Sequence, residues 1–283
     1  ATLMATAPLL EPAPIAPVTS TVRVQTVTPE LVQLKVHSQG TVMPSTESQL
    51  IPEVSGRVVW MSPKLVAGGY FNEGELLARV DKVDYQNTAD RAKATLIRAQ
   101  AEQQHAKFEF QRLRRLEARR LTSRSQLENG LRALRVADAA LQDANVNFDQ
   151  ATQNVDRTEL TAPFTGLVRS ENVDIGQFIS RGAPIATLYG SDLSEVRLPI
   201  ADRQLAFLNL PPTLRGELPE ELQPTVTLTT EYAGQKLQWQ GKIVRTEAEI
   251  DISSRMVQLV ARVPNLDSDT PLAVGLFVEA EIE

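Results

Sequence analysis

The chain has 283 residues, of which 42% are hydrophobic, and its formal net charge is −6. This length is enough for two to four modest domains with buried cores, and the acidic charge argues against a general nucleic-acid-binding protein, which needs clustered Lys and Arg on one face. The absence of cysteine excludes disulfides, thiolate nucleophiles and Cys-ligated metals.

The N-terminal segment is predicted to be a linker. Residues 1–20 hold Pro8, Pro12, Pro14 and Pro17 among Ala, Thr and Ser, without helical or strand periodicity. The first residues lack the basic start of a complete secretory signal, and no window approaches the roughly 18 to 20 consecutive apolar residues of a membrane-spanning helix. We therefore expect an extended tether ahead of the first folded domain.

β-Strand patterns follow the linker. Alternating apolar residues such as Val22 and Val24, and later Leu34 and Val36, indicate strands. We predict a strand within residues 21–30, and residues 31–48 are expected to open a β domain.

Residues 82–157 have the composition of a long helical segment. Gly and Pro nearly vanish, and Ala, Gln, Arg, Leu and Glu dominate. Apolar residues recur at steps of three and four, which is the pattern of a coiled-coil seam. The predicted seam consists of Ala92, Leu96, Ala99, Ala106, Phe110 and Leu113 in the first half, and of Leu127, Leu131, Leu134, Ala137, Leu141, Ala144, Phe148, Ala151 and Val155 in the second.

A second helix start lies in the middle of this segment. Ser123 followed by Gln126 has the spacing of a capping box. Two antiparallel helices of about 35 residues, each roughly 50 Å long at 1.5 Å per residue, are therefore predicted to meet at a short turn. A hairpin of this length exceeds what a compact domain needs, so we expect it to reach a partner.

The helical segment separates two copies of one strand-turn pattern. GGYFNEGELLARV, which begins at Gly68, aligns with GQFISRGAPIATL, which begins at Gly176. Glycines recur at equivalent positions, which predicts turns with positive φ or tight packing. Each copy is too small to cover its own apolar face, so the two copies are expected to pack on each other. The glycine pairs are Gly56 with Gly166, Gly68 with Gly176 and Gly74 with Gly182.

Strand patterns return after the second copy. Short β segments separated by turns predict a small β-barrel in residues 190–283. Residues 201–208 are compatible with one short helix, and prolines mark 211–224 as a loop. The strand segments are 195–200, 225–230, 237–244 and 258–263.

The order of these parts resembles a known family. The two copies, Ile51 to Asp81 and Glu159 to Tyr189, resemble the halves of a lipoyl or biotinyl carrier domain, with the hairpin in place of the carrier's lysine-bearing turn. GKIVRTEAEIDISSRMVQLVARVPN at 241–265 and LAVGLFVEAEI at 272–282 are similar to barrel strands of the periplasmic adaptor subunits, or membrane fusion proteins, of tripartite efflux pumps of the resistance-nodulation-division type. The resemblance runs from about Val22 to Glu283.

This resemblance implies an elongated, multidomain α+β fold. An antiparallel coiled-coil hairpin is inserted into a lipoyl-like β-sandwich, and a small β-barrel and a partial membrane-proximal β region complete the chain, because the sequence stops near the point where adaptors usually add further membrane-proximal strands. The expected parts are a linker at 1–20, a membrane-proximal strand at 21–30, the barrel at 31–48 and 190–283, the split sandwich at 49–81 and 158–189, and the hairpin at 82–157.

The resemblance also implies a binding site at the hairpin tip. Arg112, Leu116 and Ser123 match the family spacing of Arg, three residues, Leu, six residues, Ser, and in that family the trio contacts a TolC-like outer-membrane channel. The residues alone also allow a bland interpretation, in which Ser123 is an N-cap, Leu116 a seam residue and Arg112 a solvated charge. Tip arginines predict a locally basic surface, which is either a solvated face or an electrostatic guide towards an acidic partner. They are Arg112, Arg114, Arg115, Arg119, Arg120 and Arg124.

The remaining implications concern partners and location. They are an inner-membrane transporter of the resistance-nodulation-division class, a hexameric ring in the assembled pump, and a periplasmic location at the inner membrane, with any lipid or membrane anchor outside this sequence. The exported cargo would be drugs or other small molecules. Nucleic acid is not an expected partner, and neither a cofactor nor a metal is expected, since His37 and His105 lie far apart and the four methionines do not cluster.

Three alternatives remain open from the sequence. The first is an adaptor of an ABC-type exporter; the second is a lipoyl or biotinyl carrier, for which Lys82 is the only nearby lysine and lacks methionine neighbours; the third is a plain coiled-coil scaffold. An enzyme is not expected, because the chain has no nucleophile elbow, no phosphate-binding Gly-Lys loop and no metal-spaced His pair.

Overall fold

The computed structural model of the protein describes residues 22–24, 34–208, 210, 216–250, 256–265 and 270–283. Residues 1–34 form a unit of their own, of which residues 22–24 and Leu34 are described and have no regular secondary structure. The predicted linker and most of the predicted strand at 21–30 lie outside the described residues. The second unit, Lys35–Glu283, contains all the elements given below.

Within the described residues, the second unit consists of five strands, two consecutive long helices, and nine further strands with one short helix among them. The helices are α1 (Val83–Ala118), α2 (Arg124–Asp156) and the short α3 (Asp202–Leu205), with a 3₁₀ turn at Glu220–Leu222. The strands are β1 (Val36–Pro44), β2 (Glu47–Leu50), β3 (Gly56–Met61), β4 (Tyr70–Phe71), β5 (Leu76–Val80), β6 (Glu159–Thr161), β7 (Gly166–Glu171), β8 (Phe178–Ile179), β9 (Ala186–Gly190), β10 (Leu193–Ala201), β11 (Thr225–Tyr232), β12 (Gln235–Ile250), β13 (Met256–Pro264) and β14 (Phe277–Ile282).

Six strands close into a barrel in the order β1-β10-β13-β12-β11-β14. Each pair is antiparallel, and alternate side chains point inward because successive residues of a strand face opposite sides. The interior is filled by fully buried branched residues, for example Leu198 and Ile200 of β10 and Leu228 of β11. Closure removes the free strand edges that an open sheet of this size would expose.

Strands from both sides of the helical segment build a β-sandwich. One sheet has the order β2-β9-β7-β4 and the other β6-β5-β3-β8, so each sheet contains strands from both copies of the repeat. Gly56 of the first copy pairs with Ile179 of the second, and Phe71 pairs with Gly166. The two sheets share one core, in which Val58, Phe71 and Leu188 are fully buried. Neither copy could form this core alone.

Two pairs of equivalent glycines have the same backbone conformation. Gly68 and Gly176 have φ of 82° and 90°, and Gly74 and Gly182 have 74° and 87°. This left-handed region strains any residue with a Cβ. The repeat in the sequence is therefore a repeat in the turns of the structure.

The helices α1 and α2 pack antiparallel along their seam. Leu96 and Ala99 of α1 form a buried cluster with Ala144 of α2, and towards the tip Gly130 of α2 lies against Leu113 and Phe110 of α1. Gln103 takes a seam position and donates a hydrogen bond of 2.8 Å from Nε2 to Asp138 Oδ1. No helix in the described part of the chain combines the length and hydropathy needed to cross a membrane.

The sandwich holds both ends of this hairpin. The strand that leads into α1, β5, pairs antiparallel with β6, the strand that follows α2, and Val80 N donates to Thr158 O at 2.8 Å. Two side chains add contacts to the loop before β3: Tyr85 Oη donates to Ser55 O at 2.7 Å, and Arg157 lies 2.7 Å from Glu53. The direction of the hairpin is therefore set by the sheet at its base.

An ion network lies on the outer face of the barrel. The carboxylate of Glu195, whose side chain is 12% exposed, accepts two hydrogen bonds from Arg245, at 2.9 and 2.8 Å, and two from Arg262, at 3.2 and 3.0 Å. Burial alone would raise the pKa of Glu195, but the hydrogen bonds from the two guanidinium groups outweigh it and hold that pKa below its ordinary value. Arg262 also bonds Glu217 at 2.8 Å, which ties the segment after 215 to the barrel.

Most observed boundaries lie within a few residues of the predicted ones, and two of the differences have a clear physical cause. The strand β2 begins at Glu47 and pairs with β9, so residues 47 and 48 lie in the sandwich and not in the barrel. The strand β12 continues to Ile250, six residues beyond the predicted 244, because register shifts after Ile243 and Thr246 let a polar segment stay paired with β13.

Replacement of Gly166 by Ala is expected to loosen the sandwich. A Cβ at this position would lie 2.0 Å from Tyr189 O, a backbone atom of the neighbouring strand, and such overpacking typically costs about 1–3 kcal/mol. Amide hydrogen exchange of β7 and β9 should accelerate accordingly. Gly190→Ala is the matched control, since its Cβ would come no closer than 3.1 Å, to the Asp192 carboxylate, with Thr46 Cβ at 3.6 Å and Thr46 O at 3.9 Å. Equal acceleration in both variants would contradict the packing argument.

Replacement of Glu195 by Gln is expected to destabilise the barrel by about 2 kcal/mol at pH 7, because two partly buried arginines lose their shared carboxylate. Since the folded pKa of Glu195 is lowered, its stabilising contribution is complete above the unfolded value of about 4.3 and disappears as the pH falls through the folded value. The wild type should therefore lose more stability than the variant below about pH 4.

Urea unfolding read by the buried Trp239, in a Trp60→Phe background, measures this difference. Glu231→Gln, at an exposed barrel position without an ion pair in the described residues, is the control and should follow the wild-type profile. Parallel pH profiles for wild type and Glu195→Gln would show that the network contributes nothing to stability.

Candidate partner-binding tip of the helical hairpin

The first helix ends in a Schellman motif at the tip. Leu121 N donates to Leu116 O at 2.9 Å, and Arg120 N donates to Glu117 O at 2.8 Å. Arg120 adopts the left-handed conformation that this motif requires, with φ of 58°. Glycine is the usual residue at such a position, because a side chain there is strained.

The second helix begins with the predicted capping box. Ser123 Oγ accepts from Gln126 N at 3.3 Å, and Gln126 Oε1 accepts from Ser123 N at 3.3 Å. Gln126 also bonds the Thr122 hydroxyl. Ser123 therefore caps the start of α2, and any role in partner binding is additional to this structural role.

Arg112 is exposed and lies one turn of α1 before Leu116. Its Nε and Nη2 both donate to Glu109 Oε2, at 3.0 and 2.8 Å. This hydrogen-bonded pair lowers the pKa of Glu109, so the pair is intact at neutral pH and is lost only when acid protonates the carboxylate. The guanidinium of Arg112 is thus held in position and keeps one side open to solvent.

The three predicted residues all lie in the last turns of the hairpin. Leu116 is half-buried at the end of the seam, and its carbonyl accepts the bond from Leu121 that closes α1. Arg112 precedes it by four residues on the same helix, which places both on neighbouring positions of one face. Ser123 lies across the turn, at the start of α2.

Leu121 was not among the predicted site residues, and it is the most exposed leucine of the tip. Its side chain is 69% exposed, although it lies between the half-buried ends of both helices. The sequence signal for it is its position outside both seam patterns: it follows Leu116 by five residues and precedes Leu127 by six. A single exposed apolar side chain is common on protein surfaces, so the exposure of Leu121 does not by itself mark a contact.

The tip is strongly basic. Residues 112–124 contain six arginines and one glutamate, a net charge of +5, so the rest of the chain carries −11. Arg112 pairs with Glu109, and Arg124 lies 3.4 Å from Glu128. Arg114, Arg115, Arg119 and Arg120 are exposed and have no ion-pair partner among the described residues. The positive charge is therefore available to a partner.

Metal ligands and the carrier lysine are the two features to which a bound group could be attached. Among the described residues, no three His, Asp or Glu side chains converge as a metal site would require. Lys82 is exposed and stands at the start of α1, and the connection between β5 and β6 that carries the lysine in a carrier domain is occupied by the hairpin. Protein binding at the tip is the chemistry that this arrangement favours.

Comparison with known proteins gives relatives along most of the chain, although no protein-family model matches it. The multidrug efflux pump subunit AcrA of Escherichia coli (strain K12) is 27% identical over 263 residues, which cover 93% of this chain and 65% of AcrA. A MacA–MexA chimeric protein containing the Pseudomonas aeruginosa MexA α-hairpin domain is 21% identical, with a TM-score of 0.62, over 89% of this chain and 81% of the chimera. The membrane fusion protein Spr0693 of Streptococcus pneumoniae R6 is 18% identical, with a TM-score of 0.61, over 88% and 98% of the two chains.

These similarities confirm the predicted resemblance to membrane fusion proteins of efflux pumps. The chain has the fold of a membrane fusion protein. It is a homologue of a multidrug efflux pump subunit and spans less than two thirds of that subunit's length.

Replacement of Arg120 by Gly is expected to stabilise the hairpin by about 0.5–1 kcal/mol, because relief of the left-handed strain outweighs the greater chain entropy of glycine. The melting of helical circular dichroism should shift upward, since α1 and α2 supply nearly all of the helical residues described. Arg120→Ala keeps the strained conformation and should show no gain. A loss of stability in Arg120→Gly would mean that the Arg120 side chain itself stabilises the turn.

Proposed function

We propose that the protein is a non-enzymatic periplasmic adaptor that links an inner-membrane efflux transporter to a TolC-like outer-membrane channel. The observation that carries the proposal is a helical hairpin held at its base by paired strands of a sandwich, with a basic and partly apolar tip at its free end. Homology to a multidrug efflux pump subunit supports drugs or other small molecules as cargo.

The domains have separate roles in this proposal. The hairpin is a coiled coil whose tip binds the channel, and the lipoyl-like sandwich directs it. The barrel, together with a membrane-proximal region that includes residues 21–30, docks on the transporter. The transporter is of the resistance-nodulation-division type, and the protein is located in the periplasm at the inner membrane.

The tip contact consists of Arg112, Leu116 and Ser123. Arg112 supplies fixed guanidinium donors, Leu116 supplies apolar surface at the end of the seam, and Ser123 keeps the turn in place through its capping box. Such a footprint is far below the roughly 800 Å² per partner of a stable complex. Several hairpins must therefore act together, and a hexameric ring would supply the necessary avidity.

Two observations weaken a carrier function. The position of the modified lysine is replaced by 36- and 33-residue helices, and Lys82 begins a helix instead of standing on a tight turn. Mass spectrometry of the intact protein would reveal a lipoyl or biotinyl adduct if this argument were wrong. Co-purification of the full chain with transporters of the resistance-nodulation-division and ABC classes distinguishes the two kinds of adaptor.

Arg112→Asp and Leu116→Ser are each expected to reduce co-purification with a TolC-like channel at least tenfold, since each removes one of few contacts that the ring multiplies. Drug resistance of a strain that depends on this protein should fall in parallel. The same charge change at Arg98→Asp, on the body of α1, is the control and should leave binding unchanged.

Ser123 allows the cap and the contact to be separated. Ser123→Asn keeps a side-chain acceptor for the helix start, whereas Ser123→Ala loses it at a cost of about 1 kcal/mol.

If binding by Arg112→Asp and Leu116→Ser equals that of the wild type while their helical melting is unchanged, the tip trio is not the channel contact.

A further inference from the structure

Four arginines at the tip have no ion-pair partner among the described residues, and they are not part of the trio to which the channel contact was assigned. Arg114, Arg115, Arg119 and Arg120 are exposed and make no ion pair or hydrogen bond through their side chains with the described residues. Arg115 and Arg119 are four residues apart on consecutive turns, an arrangement in which like charges disfavour the end of a helix. At the C-terminal end of α1 these positive charges also complement the helix dipole. The dipole does not require that their side chains stay exposed and unpaired among the described residues, as they do here.

Two of the tip arginines, Arg120 from this group and the neighbouring Arg124, occupy positions where local structure favours another residue. Arg120 has the left-handed φ of 58°, where glycine is strain-free. Arg124 is the first residue of α2, whose first turn has no acidic residue, although the helix N-terminus favours negative charge. Backbone strain at Arg120 and unfavourable charge at Arg124 occur together at one exposed site, which points to a function of these side chains.

We propose that Arg115, Arg119 and Arg120 form a carboxylate-binding surface that recognises an acidic protein surface on the outer-membrane channel. This inference rests on the proposed function and extends it, because it adds electrostatic recognition by these arginines to the contact made by Arg112, Leu116 and Ser123. All six cations in residues 112–124 are arginines, whose planar guanidinium groups bind carboxylates in a bidentate manner that lysine does not reproduce.

A protein partner fits the tip better than a lipid surface does. Binding in the plane of a membrane requires an amphipathic helix with a free apolar face. Here the apolar faces of both helices are turned towards each other, and Leu113, Leu116 and Leu127 are half-buried at the end of the seam. Leu121 is one exposed leucine among these charges, which suits a small apolar contact within an acidic protein rim.

The negative charge of the rest of the chain would orient the protein relative to an acidic partner. The +5 tip stands on a chain whose other residues sum to −11. An acidic partner would repel the body and attract the tip, so electrostatic steering would favour an end-on approach. The screening length is about 10 Å at 0.1 M salt, so such steering weakens as salt is added.

The test measures binding of the full chain to detergent-solubilised TolC as the probe at 50, 150 and 300 mM salt. Arg120→Gln should weaken binding about threefold at 50 mM salt, consistent with one exposed ion pair, and Arg115/Arg119/Arg120→Gln about tenfold or more. Both variants should show a smaller salt dependence than the wild type. Arg98→Gln, about 30 Å along α1 from the tip at 1.5 Å per residue, should behave as wild type.

Arg120→Gly separates recognition from folding. It should weaken binding as much as Arg120→Gln does while the helical melting temperature stays equal or rises, whereas Arg120→Lys should recover only part of the affinity. A purely structural role would move binding and melting together.

The other possible outcomes contradict either the carboxylate-binding surface alone or the proposed function as well. If the wild type binds TolC and the arginine variants bind with equal affinity and equal salt dependence, the carboxylate surface is wrong and the proposed function stands. If the wild type does not bind TolC but binds vesicles containing phosphatidylglycerol in a salt-dependent manner, the arginines recognise lipid phosphate and the inference is wrong. If it binds neither, the proposed function fails, and the inference fails with it.

Discussion

The pairing of β5 with β6 is the constraint on which the rest of the structure depends. These strands enter and leave the helical hairpin, and their ladder, with Ala78 opposite Leu160 and Val80 N bonded to Thr158 O, brings the two ends of a segment of more than seventy residues together. Thr158 is fully buried at this junction. Because the ends are fixed side by side in a sheet, the two helices must run antiparallel, and their free turn must lie at the far end.

The junction between the sandwich and the barrel is built in the same way, from two chain segments that lie side by side. The barrel is entered from the sandwich by two neighbouring connections, residues 45–46 and 191–192, which are hydrogen-bonded to the strands beside them: Ser45 N donates to Leu193 O at 3.2 Å, and Gly190 N donates to Thr46 O at 2.9 Å. Each domain is thus an insertion in the one before it. A junction of two paired chain segments resists twisting better than a single linker, because rotation would break its hydrogen bonds.

The sequence predicted the parts of the fold that depend on local patterns. The composition change near residue 82 and the spacing of Ser123 and Gln126 located both helices within a few residues, since helix periodicity and capping are properties of neighbouring residues. The equivalent glycines predicted the turns, and Gly68 and Gly176 have the same left-handed conformation. The full length of β12 could not be predicted, because its polar second half is a strand only through irregular pairing with β13.

The structure of the tip was harder to predict from the sequence, because it too depends on contacts between segments and not on local patterns. The resemblance to the adaptor family predicted Arg112, Leu116 and Ser123 as contact residues. The conformation of Arg120 follows instead from how α1 closes, and a pattern of residue types does not contain it. The exposure of Leu121 likewise depends on where the two seams end.

The seam and the tip of the hairpin have different roles: the seam stabilises the helix pair, and the tip carries residues that do not. Along the body, apolar residues of each helix pack against the other, and the exposed positions carry both signs of charge, for example Arg98 and Glu102 of α1. At the tip the seam must end, so a stabilising design would close it with glycine at the turn and an acidic residue at the start of α2. The chain has Arg120 and Arg124 at those two positions. Since the paired strands at the base already fix the hairpin, the free end can carry residues that are unfavourable for its own stability, and it is the one part of the arm where a partner could gain from them.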